Sequence, residues 1–301
     1  MNNFIKLSNI SKSFTHQKNL RVLKKLTYNF KLGKIYSLMG PSGSGKSTLL
    51  NLLSLIDRPS SGIMKYENKQ IDYYDNDIRL EGILFPTENP ASNPIVLVVP
   101  TYAGRDDFTL EKAKMMNQLG YSGFAVDMYG EGKTGSTPEE NMELMQAVLD
   151  DREMLQRRIN LAHQTVIDQV GVNANKSAAI GFCFGGLCVL DLARTGSSVA
   201  GVVSFHGLFN PPGNTDGNKI SSKILVLHGN DDPMVPHESV NGLANELTAV
   251  NADWQIHAYG GTSHAFTNPL ANAPEDGMAF NENANRRSWE AMSNFLEEIF
   301  S

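Results

Sequence analysis

The sequence contains little cysteine: its 301 residues include two, Cys183 and Cys188. Their spacing suits neither a disulfide framework nor a C-x-x-C site, and we expect both thiols to be reduced. The chain also lacks an uninterrupted apolar run of about 18 residues and an apolar segment near its start. These absences argue against a membrane-spanning helix and a secretory signal peptide. They predict a soluble, cytoplasmic protein that does not insert directly into a membrane.

Metal-site spacings, internal repeats and long runs of one charge are also missing from the sequence. Charge is nevertheless uneven, because residues 1–75 contain 12 Lys and Arg against 4 Asp and Glu, whereas the whole chain has a net charge of −6. The lysines of this basic part are scattered among apolar residues, so we expect no nucleic-acid partner. The asymmetry indicates that two parts of different character have been joined.

A glycine-flanked turn carries the clearest chemical pattern among the residues that are present. The apolar run 177–182 leads into Gly-Phe-Cys-Phe-Gly at 181–185, and apolar residues at helical spacing follow. This pattern is typical of a nucleophile on a sharp turn between a strand and a helix. The helix N-terminus would favour a thiolate at Cys183, and the backbone N–H of Phe184 would donate to an oxyanion.

Two later segments contain an acid and a base in the chain order of a hydrolase triad. Residues 224–232 form an apolar run that ends in Asp231 and Asp232, and a glycine-rich loop carries His264 after the run that begins at Trp254. The order nucleophile, acid, histidine is that of triads on α/β-hydrolase sheets. Spacing alone does not separate the two adjacent carboxylates.

From about Asp77 onward the chain resembles the dienelactone hydrolase family. The similarity rests on the cysteine turn, on G-N-D-D-P-M-V-P, on G-G-T-S-H-A-F and on residues 120–130. It implies an α/β-hydrolase fold with a doubly wound, mostly parallel sheet over residues 76–301. The alternation of strand and helix patterns agrees with that fold, and residues 139–169 predict one long helical stretch.

The resemblance also implies roles for individual residues. Cys183 would be the nucleophile and His264 the base, and the family arrangement favours Asp232 over Asp231 as the acid. Tyr102, in the loop after the apolar run 95–99, would donate the second oxyanion N–H. The expected chemistry is hydrolysis of an ester or lactone bond, with no cofactor and no metal.

Two positions depart from the family pattern and affect the expected substrate. Thr101 stands where the family has a glutamate in the loop after the second strand, and Asn268 stands where it has an arginine four residues after the histidine. A neutral amide cannot make the paired, charged hydrogen bonds that an arginine makes with a carboxylate. We therefore expect a broad, uncharged ester substrate rather than a dienelactone.

The first 75 residues carry a phosphate-binding motif. Residues 4–14 and 20–30 alternate like strands, and the apolar residues 34–39 predict a third strand that leads into a Walker A sequence and a helix. Backbone N–H groups of such a loop cradle phosphates, while its lysine reaches the terminal phosphates and its serine a magnesium ion. The residues expected to contact ATP in this way are Gly40, Ser42, Gly43, Gly45, Lys46, Ser47 and Thr48.

This segment resembles the start of an ABC transporter ATP-binding domain, in which Phe14 would take the adenine-stacking position. The resemblance stops after residue 71, because no glutamine loop, no L-S-G-G-Q signature and no strand ending in Asp-Glu follow. We interpret residues 1–75 as an incomplete P-loop NTPase fragment that binds ATP and magnesium only if it folds, without hydrolysis. An ATP-binding ABC subunit and a catalytically inactive interaction protein are the alternatives to the hydrolase.

Overall fold

The computed structural model describes residues 3–14, 20–31, 34–53, 57, 59–66 and 68–301. The chain divides into two compact units, Met1–Asn68 and Lys69–Ser301. The division falls earlier than the boundary after residue 75 that the sequence predicts. Residues 69–75 pair with the next strand and therefore belong to the C-terminal unit.

The N-terminal unit combines a small antiparallel sheet with a short helix. Its elements are β1 (Asn3–Phe14), β2 (Leu20–Lys31), α1 (Lys46–Leu53) and β3 (Ser61–Tyr66). The strand order is β2-β1-β3, and both pairings are antiparallel. Leu7, Ile10 and Leu52 lie in its small apolar cluster and are fully buried. The predicted helix after the Walker A loop is present.

The strand predicted for residues 34–39 is wrong. Among the residues described for this unit, the segment joins no sheet, and the side chains of Ile35 and Met39 are 102% and 85% exposed. A strand of this apolar kind is stable when neighbours pair with it and helices cover both of its faces. The short unit supplies too few neighbours to do so.

The C-terminal unit alternates strands and helices. In chain order these are β4 (Lys69–Asp75), β5 (Ile78–Phe85), β6 (Ile95–Val99), α2 (Asp107–Met115), β7 (Ser122–Ala125), α3 (Pro138–Leu149), α4 (Arg152–Val170), β8 (Ser177–Phe182), α5 (Phe184–Arg194), β9 (Gly201–Phe205), β10 (Lys223–Gly229), α6 (His237–Ala249), β11 (Trp254–Tyr259), β12 (Asn272–Ala273), β13 (Met278–Ala279) and α7 (Glu282–Phe300).

The helical stretch predicted at 139–169 is two helices rather than one. Helix α3 ends at Leu149, and α4 begins after Asp151, whose carboxylate accepts a hydrogen bond of 2.8 Å from the backbone N–H of Met154. An aspartate that caps a helix in this way starts a new helix rather than continuing the previous one.

The main sheet has eight strands in the order β11-β10-β9-β8-β6-β7-β5-β4. The strands from β11 to β7 run parallel, and β5 and β4 add an antiparallel edge. Helices α3, α4, α5 and α6 pack on one face, and α2 and α7 pack on the other. The predicted doubly wound, mostly parallel sheet is thereby confirmed.

The chain changes direction across the sheet between β6 and β8. It leaves β6 for β7 on one side, returns through α3 and α4, and then forms β8 on the opposite side of β6. In open α/β sheets, ligands bind at the carboxyl ends of the strands beside such a switch point. The loops after β6 and β8 meet there.

Within the described part of the chain, no helix has the length and apolarity that spanning a membrane requires.

Candidate active site

The turn between β8 and α5 holds Cys183 in a backbone conformation that few residues adopt. Cys183 has φ 55° and ψ −114°, and its N–H donates to the carbonyl of Phe205 at 3.0 Å. A Cβ on Gly181 would lie 2.0 Å from the carbonyl oxygen of Gly185, and one on Gly185 would lie 2.4 Å from that of Val99. Both flanking positions therefore require glycine.

A buried carboxylate orients the histidine of the site. The Nδ1 atom of His264 lies 2.7 Å from Oδ2 of Asp232, whose Oδ1 accepts a hydrogen bond of 2.9 Å from the N–H of Met234. Both partners are almost fully buried. Asp231 is exposed instead, and its carboxylate accepts from the side chain of Asn230. The fold thus brings Asp232 rather than Asp231 to the imidazole.

The backbone of His264 is fixed by the hairpin of β12 and β13. Its N–H donates to the carbonyl of Gly277 at 2.8 Å, and its carbonyl accepts from the N–H of Ala279 at 3.1 Å. The Nε2 atom is buried and has no nitrogen or oxygen partner among the described residues. The Cys183 sulfur lies beside the imidazole and interacts with it electrostatically.

Cys183 and His264 shift each other's protonation. Burial by itself would raise the pKa of the Cys183 thiol, but the charge of the neighbouring His264 ring and two backbone N–H groups lower it overall. Burial would lower the pKa of His264, yet Cys183 and Asp232 together raise it. Both directions favour a thiolate next to an imidazolium, which is the reactive form of a cysteine nucleophile.

The two backbone N–H groups that face the sulfur are those of Phe184 and Tyr102. Phe184 is the first residue of α5, and Tyr102 lies in a turn closed by a hydrogen bond of 3.1 Å from Gly104 N–H to the Thr101 carbonyl. The phenol of Tyr129 donates to the Tyr102 carbonyl at 2.9 Å and so holds this turn. Paired donors beside a nucleophile form an oxyanion hole for a tetrahedral intermediate.

Asn268 does not replace the charge that the family arginine would supply. Its side-chain oxygen accepts a hydrogen bond of 3.0 Å from the N–H of Leu270, within its own loop. Thr101 likewise uses its hydroxyl locally, to accept from the N–H of Ala103 at 3.2 Å. At both positions that depart from the family pattern, the side-chain oxygen therefore accepts a hydrogen bond within its own turn.

Two histidines at strand ends, His206 and His228, are also buried near the triad. The Nε2 atom of His206 pairs with the Thr267 hydroxyl at 2.8 Å, and its ring meets that of His264 edge-on at 5.1 Å. Neither ring nitrogen of His228 has a partner among the described residues. Neither Thr267 nor Tyr129 was predicted as a site residue from the sequence, because no local pattern marks either residue.

The Walker A loop of the N-terminal unit is a separate cluster of predicted site residues. The ammonium of Lys46 donates to the carbonyls of Gly40 and Pro41, each at 2.8 Å. Ser42, Gly43 and Ser47 are exposed, Gly45 and Thr48 are partly buried, and the ring of Phe14 lies under the Lys12 ammonium at 5.2 Å. Within the described ranges, no three His, Cys, Asp or Glu side chains come together as metal ligands would.

The fold and this site together define an α/β hydrolase. A family model described as the dienelactone hydrolase family matches residues 80–300, and the chain belongs to this family. The crystal structure of a dienelactone hydrolase-like promiscuous phosphotriesterase from metagenomic libraries is 35% identical, with a TM-score of 0.72 over 78% of this chain and 99% of that chain. An uncharacterized protein of Caenorhabditis elegans is 36% identical over 136 residues, which are 43% of this chain and 84% of that protein.

The N-terminal unit has relatives of another kind. The ABC transporter ATP-binding protein YxdL of Bacillus subtilis is 44% identical over 62 residues, which are 21% of this chain. The matched residues span 24% of that relative's length. The similarity to this ABC ATP-binding protein is therefore partial.

Proposed function

We propose that this protein hydrolyses carboxylic ester or lactone bonds, with Cys183 as nucleophile, His264 as acid and base, and Asp232 as the group that orients the imidazole. The observation that carries the proposal is the short contact between His264 and Asp232 beside a cysteine whose pKa is lowered. A thiolate is the nucleophilic form of cysteine, so this electrostatic setting favours attack on a carbonyl carbon.

The first half of the reaction forms a thioester. The thiolate of Cys183 attacks the carbonyl carbon, and the electron pair of the C=O bond moves to oxygen, where the N–H groups of Phe184 and Tyr102 bind it. When the tetrahedral intermediate collapses, the C–O bond to the leaving group breaks. His264 gives its Nε2 proton to the departing alkoxide and becomes neutral.

The second half returns the enzyme to its starting state. Neutral His264 accepts a proton from water as the water oxygen attacks the thioester carbon. Collapse of this second intermediate breaks the C–S bond, which releases the acid product and the thiolate of Cys183. The product acid then loses its proton to solvent, and the imidazolium next to Asp232 restores the ion pair.

Local charge supports an uncharged substrate. Burial raises the pKa of the Tyr102 phenol, and the charges of Cys183 and Glu139 raise it further, so a carboxylate lies within electrostatic reach of this part of the site. The amide of Asn268 is engaged in its own loop rather than offering a positive charge. A carboxylate-bearing substrate would meet repulsion, and at position 268 it would find an amide rather than a guanidinium.

Hydrolysis of a chromogenic short-chain ester by the full chain tests the proposal. We expect turnover, and mass spectrometry of quenched enzyme should find an acyl group on Cys183. A matched ester that carries a carboxylate should be hydrolysed more slowly. Turnover without any dependence on Cys183, or a strong preference for the carboxylate-bearing ester, would contradict the proposal.

Neutral phosphotriesters are a second candidate substrate class for the same site. The observation in favour is the 35% identity to a dienelactone hydrolase-like promiscuous phosphotriesterase over 78% of this chain. Attack of the Cys183 thiolate on phosphorus would expel an alkoxide, which again takes its proton from His264. A chromogenic phosphotriester assayed beside the ester tests this class, and a rate equal to that without enzyme would eliminate it.

For the N-terminal unit we propose binding of a nucleoside triphosphate without hydrolysis. The support is the glycine-rich loop before α1, where Lys46 already lies against two loop carbonyls and Ser47 is exposed. Magnesium, when bound, would neutralise phosphate charge beside Ser47. Calorimetric titration of the full chain with ATP and magnesium should show binding that Lys46→Ala abolishes. Equal heats for both proteins would refute the proposal.

A further inference from the structure

The end of strand β9 makes hydrogen bonds to the loops of both reactive residues. The carbonyl of Phe205 accepts from the N–H of Cys183 at 3.0 Å, which fixes the nucleophile turn. The next residue, His206, pairs through Nε2 with the hydroxyl of Thr267 at 2.8 Å. Thr267 lies three residues after His264, in the same loop. Two consecutive residues of one strand end therefore hold the nucleophile and the base at once.

The surrounding residues fix both the side chain and the backbone of His206. Its side chain is 1% exposed, and its N–H donates to the carbonyl of Leu227 on β10 at 2.8 Å. Its backbone has φ 37°, a conformation that a non-glycine residue adopts only when its surroundings impose it. Its ring meets the rings of His264 and Phe266 edge-on, each at 5.1 Å.

The charge state of His206 suits contact with a cationic neighbour. Burial lowers the pKa of His206, and the positive charges of His264 and Lys112 lower it further. A neutral ring can pack against an imidazolium without the repulsion that a second cation would cause. The other titratable groups that act on the His264 ring are Cys183 and Asp232, which share its ion pair, and His228.

We propose that His206 is a positioning residue which, through its hydrogen bond to Thr267 and its ring contact, sets the distance and angle between His264 and Cys183. The inference rests on the proposed cysteine hydrolase function. The hydrogen bond joins residues 61 positions apart in sequence, and the His206 ring lies edge-on to the imidazole whose Nδ1 atom faces Asp232. A residue that only filled space would need neither the hydroxyl partner nor the neutral ring.

Thr267→Val tests the hydrogen bond with almost no change in shape, and Thr267→Ser is the matched control that keeps the hydroxyl. Two quantities are measured: kcat and KM for the chromogenic ester, and the pH dependence of Cys183 alkylation by iodoacetamide. We expect Thr267→Val to lower kcat by about 10-fold to 100-fold with little change in KM. It should also move the alkylation midpoint of Cys183 towards that of an ordinary thiol, whereas Thr267→Ser stays close to the parent.

A second pair of variants covers the possibility that the valine protein does not fold. His206→Gln retains an amide near the position of Nε2, whereas His206→Phe retains the ring without a hydrogen-bonding atom. We expect the glutamine variant to keep more activity and a lower alkylation midpoint than the phenylalanine variant. In a double variant with Thr267→Val, the effect of His206→Phe should largely disappear, because the two residues act through one contact.

The outcomes separate this inference from the function on which it rests. If Cys183 in the unaltered protein is alkylated like an ordinary thiol, the proposed cysteine mechanism fails. If that midpoint is low but Thr267→Val matches Thr267→Ser in both kcat and midpoint, the positioning role is overturned. Fully additive effects of His206→Phe and Thr267→Val would overturn it as well.

Discussion

Each unit of the chain contains an apolar segment, a glycine-rich turn and a helix that begins at the turn. In the C-terminal unit the segment is β8, which lies between β6 and β9 and whose residues are all buried. In the N-terminal unit the corresponding segment, residues 34–39, joins no described strand and is largely exposed. The two turns differ in the same way, since Cys183 meets several fixed partners, whereas much of the Walker A loop faces solvent.

The difference shows where a strand-turn-helix motif obtains its geometry. Local sequence provides the glycines and the helix start in both units. The positions of the atoms that do chemistry come from neighbouring strands: Phe205 on β9 holds the backbone of Cys183, and Val99 on β6 leaves room only for glycine at position 185. In its described residues the N-terminal unit lacks such neighbours, so it has the glycine-rich turn and the helix but no strands that fix the turn in place.

The largest expected effect tests whether ester hydrolysis depends on the cysteine turn of the C-terminal unit and not on the Walker A loop. Cys183→Ala should lower ester turnover by about 10⁴-fold or more, because it removes the proposed nucleophile that faces the N–H groups of Phe184 and Tyr102. Lys46→Ala, which alters the other turn, should leave ester turnover at the parent value. Initial rates at saturating ester measure both. A comparable loss in the two variants would show that the turns do not act separately.

A matched pair of glycine substitutions tests the support of each turn. Gly181→Ala should destabilise the protein by about 3 kcal/mol, because the new methyl group would lie against the backbone of Gly185. Nothing lies within 4 Å of the corresponding position at Gly43, so Gly43→Ala costs about 1 kcal/mol for its positive φ. Thermal unfolding followed by circular dichroism measures the difference. Equal shifts in the unfolding midpoint would break the comparison.

The two cysteines test whether the turn itself activates sulfur. The pKa of Cys183 is lowered by His264 and backbone N–H groups despite burial, whereas burial raises that of Cys188 in the interior of α5. At pH 7, iodoacetamide should therefore modify Cys183 roughly tenfold faster than Cys188 or more. Peptide mapping by mass spectrometry measures both rates.

The pH dependence of that reaction has a defined sign. The thiolate of Cys183 is present above its lowered pKa and is lost as the pH falls through it. The imidazolium of His264 is present below its raised pKa and is lost as the pH rises through it. The ion pair therefore persists in the window between the two. An ordinary thiol has a pKa of about 8.5. If the alkylation rate of Cys183 rose only near that pH, the proposed ion pair would be contradicted.

The smallest expected effect concerns the exposed segment of the N-terminal unit. Ile35→Ser should change the free energy of unfolding by less than about 0.5 kcal/mol, because the parent side chain is already in water. Ile180→Ala on β8 is the buried counterpart and should cost about 3 kcal/mol. Chemical denaturation compares the two. A large loss of unfolding free energy in Ile35→Ser would show that residues 34–39 are buried rather than exposed.

Local patterns predicted the nucleophile turn and the two strand ends that carry its partners. Glycines at 181 and 185 around a cysteine mark the turn in the local sequence, and Asp232 and His264 follow it in the chain order of the family. Which of two adjacent aspartates faces the imidazole depends on a loop conformation, and spacing alone did not determine it.

Other features depended on contacts that the sequence does not display. The apolar pattern at 34–39 predicted a strand, but a strand needs neighbours that this unit lacks. Residues 69–75 joined the larger sheet because β5 follows them directly as a pairing partner. The bond between His206 and Thr267 connects positions far apart in sequence, and neither residue type is unusual in its local context.

The backbone conformation of Cys183 also limits which nucleophiles this site can carry. At φ 55° a β-branched side chain clashes with its own backbone, so threonine is excluded from the turn. Serine would fit, but the ion pair with His264 stabilises an anion that a hydroxyl does not form near neutral pH. The turn therefore admits cysteine or serine, and of these two only cysteine would form a resting ion pair with His264.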